Sequence, residues 1–175
     1  MSKLLGCALA LCAGLSMHWT AAADNMLLHG ALVAEPCTLQ PGDEDIQLDF
    51  GTVIDKYLYA NGRTSAKSFS LTLLDCDVSL GKSVKITFGG VESPALPGLL
   101  LPQSVGQVSG IALGIETAAG KPVVLNKPSQ GHTLANGSNN LQLQAYIQGE
   151  PGAIAGKSIG LGEFSATATF ELEYE

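Results

Sequence analysis

Positive charge is scarce in this chain of 175 residues: 9 Lys and Arg stand against 16 Asp and Glu, a formal net charge of −7. That balance excludes a nucleic-acid partner, because phosphate contacts need clustered cations. Charged residues of either sign reach only 14% and hydrophobic ones 46%, which excludes the charge-rich, apolar-poor composition of a disordered chain. No apolar run attains the roughly 20 residues of a membrane-spanning helix; the best candidate, Leu4 to Ser16, is shorter. Catalytic signatures are missing too. Gly106-Gln107-Val108-Ser109-Gly110 has its serine one place late for a nucleophile elbow. Gly81-Lys82-Ser83 and Gly156-Lys157-Ser158 imitate the end of a phosphate loop but have Cys76 and Pro151 where its first glycine belongs. The acids Asp43-Glu44-Asp45 and Asp75/Asp77 read as solvated turns. Cys37, Cys76, His29 and His132 show no recognised metal-ligand spacing. No enzyme activity, metal, cofactor or small-molecule substrate is expected.

What is present begins with a processing signal. Met1, Ser2 and Lys3 form a short basic start, Leu4 to Ser16 an apolar segment, and Ala21-Ala22-Ala23 the small residues that signal peptidase needs. Residues 1–23 are therefore expected to be a signal peptide, with Asp24 opening the mature chain. Leu4-Leu5-Gly6-Cys7 resembles a lipoprotein box, but no hydrophobic segment precedes it, and lipidation is not expected. Taking 23 residues from 175 leaves 152, one domain by size. Losing Lys3 moves the net charge to −8, and Cys37 and Cys76 become the only cysteines. In an exported protein, two cysteines read as one disulfide, because the compartment is oxidising. Closing a separation of 39 residues stabilises by about 4 kcal/mol on the chain-entropy account.

Alternation with a period of two runs along the mature chain. Ile46, Leu48 and Phe50 share one face of an expected strand over 45–53; Phe69, Leu71 and Leu73 do so before Cys76, and Val84, Ile86 and Phe88 before Gly89-Gly90. After the proline-punctuated stretch from Ser93 to Pro102 come Ile111, Leu113 and Ile115, then Val123 and Leu125, then Leu141, Leu143, Ala145 and Ile147. Strands at this spacing, with no convincing amphipathic helix between them, predict an all-β antiparallel sandwich.

The two ends depart from an ordinary sandwich. From Phe164 to Tyr174 every second residue is apolar, the longest alternating stretch of the chain, and only Glu175 follows it. At the start, Met26, Leu28, Gly30 and Leu32 alternate with Leu27, His29, Ala31 and Val33, a strand-competent arm with apolar residues on both faces and one glycine in the middle. An exposed arm of this kind invites pairing with another chain and has to be covered. Nine extended residues reach about 30 Å, the length of a sheet.

The arm His29-Gly30-Ala31-Leu32-Val33-Ala34-Glu35-Pro36-Cys37, the segment Asn61-Gly62-Arg63-Thr64 leading to Phe69 and Cys76, the stretch Ala95-Leu96-Pro97-Gly98, and the ending Ala166-Thr167-Ala168-Thr169-Phe170-Glu171-Leu172-Glu173-Tyr174 together resemble the pilins of chaperone–usher fimbriae of type 1 and P type. The likeness is greatest to the minor tip and adaptor subunits of P pili, and it spans the mature chain. Its most specific marks are Tyr174 as penultimate residue and Gly162 as the fourteenth from the end. The cysteine pair also fits that family's single disulfide.

The resemblance implies an incomplete immunoglobulin-like β-sandwich lacking its final strand, with 24–36 as an N-terminal donor-strand arm and 37–175 as the pilin domain. The groove left open would be bordered by Gly162, Phe164, Ala166, Ala168, Phe170, Leu172, Tyr174 and Glu175. A periplasmic fimbrial chaperone would fill it with a lent strand and hold the C-terminus through basic residues. The outer-membrane usher would then exchange that strand for the arm of the next subunit. By the same resemblance, Met26, Leu28, Gly30 and Leu32 enter the groove of a neighbouring pilin or adhesin, with Gly30 where a side chain would not fit. The implied role is a minor structural subunit of a cell-surface fimbria, exported through the periplasm and contributing to adhesion. Two alternatives stand beside it: a pilus-terminating subunit, and an unrelated self-contained secreted sandwich that folds alone.

Overall fold

The computed structural model describes residues 29–30, 32, 34–104 and 107–175, and Ala34–Glu175 forms one compact unit. Its elements in chain order are β1 (Thr38–Leu39), α1 (Asp55–Asn61), β2 (Lys67–Cys76), β3 (Ser83–Gly89), β4 (Gln103–Ser104), β5 (Ile111–Thr117), β6 (Pro122–Val123), β7 (His132–Thr133), β8 (Gly137–Gly149), α2 (Pro151–Gly156), β9 (Phe164–Ser165) and β10 (Thr169–Tyr174). The strands β1-β2-β8-β5-β6 form one antiparallel sheet and β10-β3-β7 another, while β4 and β9 pair separately.

The long β8 is the spine because its alternation suits both neighbours. Leu141, Leu143, Ala145 and Ile147 are buried, whereas Gln142, Gln144 and Gln148 take the other face. Leu71, Leu73 and Val84 are wholly inaccessible in the core beside Ile86 and Phe88, each contributing about 1.5–3 kcal/mol by burial. The ring centroids of Phe69 and Phe88 lie 6.4 Å apart, edge to face, a favourable quadrupole arrangement. The expected disulfide is present: Cys37 and Cys76 are joined with their Cα atoms 4.1 Å apart, tying the entry to β1 onto the end of β2.

On the outer face of the larger sheet, the Arg63 guanidinium forks onto the Glu116 carboxylate at 2.9 and 2.7 Å and stacks 3.8 Å from the Tyr146 ring centroid. Gln144 donates a further bond of 3.0 Å to the same carboxylate. Tyr146 lies flat there because its cross-strand partner is Gly114, where a Cβ would come within 2.2 Å of the ring. The Arg63 hydrogen bonds hold the Glu116 carboxyl below its ordinary value, and those same bonds raise Arg63.

Three expectations need correction. The segment 45–53 carries no ladder: it runs beside β2, where Asp43 accepts the Thr72 N–H at 2.6 Å and the Lys67 ammonium reaches the Asp49 carbonyl. Its Ile46, Leu48 and Phe50 are half-buried as alternation requires, but a strand partner is absent among the described residues. The stretch from Phe164 to Tyr174 is not one strand, because β9 pairs with β4 and β10 with β3, with 166–168 unpaired between them. Finally, two short helices interrupt the strands. Pro151 starts α2, where its missing N–H costs nothing, and Gly62 ends α1 at φ +78°.

Candidate functional site

The site is the last strand. β10 lies at the end of its sheet with β3 on one side, in the register Thr169↔Gly89 to Tyr174↔Val84. Glu175 and Ser83 exchange both main-chain hydrogen bonds, at 2.9 and 3.0 Å. In an antiparallel ladder, bonded and non-bonded pairs alternate, so Glu173, Glu171 and Thr169 also direct their backbone groups to β3. Phe170, Leu172 and Tyr174 therefore aim theirs the opposite way. Their partners on β3 agree with this assignment. The Ile86 N–H donates to the Ser129 hydroxyl at 3.0 Å, the Ile86 carbonyl accepts from Ser129 N–H at 2.8 Å, and the Phe88 carbonyl accepts from Asn126 N–H at 2.7 Å, all on the side away from β10. The backbone groups of Phe170, Leu172 and Tyr174 meet no strand among the described residues.

The same three residues carry the apolar face. Across the ladder Val84, Ile86 and Phe88 are buried, but Phe170, Leu172 and Tyr174 are only half-buried, as are Phe164, Ala166 and Ala168. Ala166, Ala168, Phe170, Leu172 and Tyr174 all pack on the main core, with the Phe170 ring centroid 6.3 Å from that of Phe88. Among the described residues, one strand thus has inward side chains without full cover and outward backbone groups without strand partners. Ile46 packs on the same core, and Phe50 joins Phe164 on a smaller cluster around Leu58 and Ile147. These half-buried residues of the unladdered segment were legible as alternation, but not as part of the site.

Gly162 sits at φ +152°, a backbone conformation that side chains avoid, and a Cβ there would lie 3.1 Å from Val108. At the other end, Tyr174 is flanked by Gly81, whose added Cβ would meet Pro36 at 2.7 Å and Tyr174 at 3.4 Å. Burial, with a lesser push from Glu35, raises the Tyr174 hydroxyl above its ordinary value. The Glu175 carboxylate pairs with Lys85 of this chain, whose ammonium is raised by that hydrogen bond. The sequence Gly81-Lys82-Ser83 spends its amides on the C-terminus: Lys82 and Ser83 N–H donate to the Glu175 carbonyl at 2.6 and 3.0 Å. Asp77 likewise caps its own turn by accepting Ser79 N–H at 2.9 Å, and hydrogen bonding from the Ser79 side chain, followed by that N–H, lowers its carboxyl. Of the arm residues, Met26 and Leu28 lie outside the described residues, while Gly30 and Leu32 are exposed. Among the described residues, no three His, Cys, Asp or Glu side chains converge as metal ligands, and no helix is long and apolar enough to cross a membrane.

Comparison with known proteins gives concordant matches. Residues 26–175 match the family model described as Fimbrial protein. The chain is 35% identical over 161 residues to the fimbrial adapter PapK of Escherichia coli, covering 88% of this chain and 89% of that one. It is 34% identical over 146 residues to the Fimbria A protein of Serratia marcescens, covering 83% and 81%. Among solved structures, the P pilus rod subunit PapA superposes with a TM-score of 0.69 at 27% identity, over 81% of this chain and 100% of that one. A chaperone–usher pilus structure concerned with rod uncoiling superposes at 0.70 and 25% identity, over 88% and 96%.

Proposed function

The chain belongs to the fimbrial protein family, the pilins of chaperone–usher fimbriae, and from that premise we propose that it is a minor tip or adaptor subunit polymerised by donor-strand exchange. As a member of that family it is a structural subunit and not an enzyme, an incomplete immunoglobulin-like sandwich that associates with other pilus subunits in a surface fimbria. The adaptor role leans on the likeness to PapK.

The observation that carries the exchange reading is the strand Thr169–Tyr174, with Phe170, Leu172 and Tyr174 half-covered and their amides and carbonyls turned from β3. An extended peptide laid along that edge would take up the backbone groups turned from β3 and cover the apolar side chains in one step. Ile46, Leu48 and Phe50 would form the opposite wall of the groove, which gives the unladdered segment its reason. In this reading residues 1–23 are removed, 24–36 form the arm, and Met26, Leu28, Gly30 and Leu32 complete a neighbouring pilin or adhesin. Before that exchange a periplasmic chaperone occupies the groove along Gly162, Phe164, Ala166, Ala168 and β10. Its basic residues would have to compete with Lys85 for the Glu175 carboxylate. The usher then drives the exchange, and the assembled fimbria serves adhesion.

The test is periplasmic expression with and without a matched fimbrial chaperone. Soluble protein is expected only as a one-to-one complex. Accumulation as a cooperatively folding monomer without the chaperone would rule out an open groove.

A further inference from the structure

The loop from Gly90 to Pro102, with Asn126, builds a platform where β3 stops and β10 begins. Its polar groups are turned inward. The Asn126 carboxamide accepts the Gly90 N–H at 3.0 Å and donates to the Gly90 carbonyl at 3.0 Å and to Glu92 at 3.1 Å. The second Glu92 oxygen accepts Gly98 N–H at 3.0 Å, and the Ser93 hydroxyl accepts Leu96 N–H at 3.2 Å. Leu100 fills the space beneath, so close that a Cβ on Gly90 would lie 2.5 Å from it. What remains outside is aliphatic: Val91 is 66% exposed, Val124 40% and Leu101 38%. Val91 and Leu101 adjoin, since Leu101 N–H donates to the Val91 carbonyl at 2.8 Å, and Val124 borders the same loop as the nearest neighbour of Gly98. A loop that bonds its polar atoms internally and turns aliphatic side chains outward offers an apolar surface to a partner, if one is brought beside it.

The partner follows from where the chain enters the sandwich. Pro36 touches Gly81, its carbonyl accepts Asp77 N–H at 2.8 Å, and Cys37 is tied to Cys76. The entry point therefore lies beside the C-terminal end of β10, at the opposite end of the β3–β10 pair from the platform. Accepting the strand-exchange reading above, a strand donated parallel to β10 would bring the donor's body to the end where the acceptor's own arm must leave. An antiparallel strand instead finishes at the start of β10. It sets the donor's body against the platform and frees the entry end for the next contact, as a head-to-tail chain of subunits requires. The entry end of this chain itself displays a 54% exposed Leu80 on the turn before Gly81, an aliphatic counterpart to the platform. We infer that Val91, Leu101 and Val124 dock the arm-bearing end of the adjoining fimbrial subunit, the one whose strand fills the groove.

A photo-cross-linking amino acid placed at Val91, Val124 or Leu172 of the full chain, in cells assembling fimbriae, separates the two readings. After irradiation of purified fimbriae, Leu172 should give an adduct to the arm of a fimbrial subunit. Val91 and Val124 should give adducts to residues flanking the first cysteine of that same subunit. Adding Val91→Asp should reduce the Val124 adduct at least fivefold and the Leu172 adduct less than twofold. If Leu172 captures the arm while Val91 and Val124 capture nothing, or capture the side of a subunit, the platform assignment falls and the groove stands. If Leu172 captures no arm, both fall.

Discussion

Replacing Leu172 by Ser isolates what an incoming strand gains from the open groove. Full burial of a leucine side chain is worth about 1.5–3 kcal/mol, and Leu172 is half-buried before any strand arrives. About 1 kcal/mol is thus left to be gained on covering. The serine hydroxyl, hydrated in the open groove, must also be desolvated, costing about 1–2 kcal/mol more. The bound strand should be weakened by about 2–3 kcal/mol, or about 30- to 150-fold. Glu171→Ser is the control: the same strand, the opposite face and an exposed side chain, so its effect should stay within about 0.5 kcal/mol. The assay is competition between a labelled extended peptide and the chaperone for the purified chain–chaperone complex, read by fluorescence anisotropy. Equal weakening by both substitutions would refute the reasoning, and so would no weakening by Leu172→Ser. Either result would mean that the inward face of β10 is not what the partner covers.

Replacing Gly30 by Leu should leave chaperone complex yield unchanged and reduce incorporation into isolated fimbriae at least tenfold, measured by immunoblot; equal incorporation would remove Gly30 from the arm's contact face. Replacing both Cys37 and Cys76 by Ser should cost the strand-filled domain about 4 kcal/mol by urea denaturation, whereas an unchanged midpoint would mean that the 39-residue loop is constrained by other means. Because Arg63 lowers the Glu116 carboxyl, that pair stabilises fully above the unfolded glutamate value and loses its contribution as pH falls through the lower folded value. Glu116→Gln should therefore flatten the acid limb of a stability–pH curve and cost about 2 kcal/mol at neutral pH; a parallel curve would contradict it. Gly114→Ala should drive Tyr146 out from under Arg63 and destabilise by about 1–3 kcal/mol in thermal melts.

Much of this fold is written in local pattern. The alternation around Phe69, Val84, Ile111 and Leu141 marks β2, β3, β5 and β8, since burial on one face of a pleated strand imposes a period of two. The pairing of Cys37 with Cys76 followed from an oxidising destination and the absence of other partners in the mature chain. Side-chain bonds between distant segments were not legible. The fork of Arg63 on Glu116 bridges a separation of 53 residues, and nothing in either neighbourhood announces the other. Nor did alternation distinguish Ile46-Leu48-Phe50, which has no ladder among the described residues, from Phe69-Leu71-Leu73, which has one.

That difference marks the boundary between the two kinds of information. By itself the sequence determined which side chains face inward along Phe164–Tyr174 and that two cysteines would close a loop, because facing depends only on neighbours along the chain. Whether a strand pairs on one side or both depends on which other segments arrive beside it. Only the tertiary structure decided that β3 takes one edge of β10 while Phe170, Leu172 and Tyr174 keep their backbone groups turned to the other. Alternation is the same for a strand paired on one edge as for one paired on both; the open edge appears only once the pairing is laid out in space.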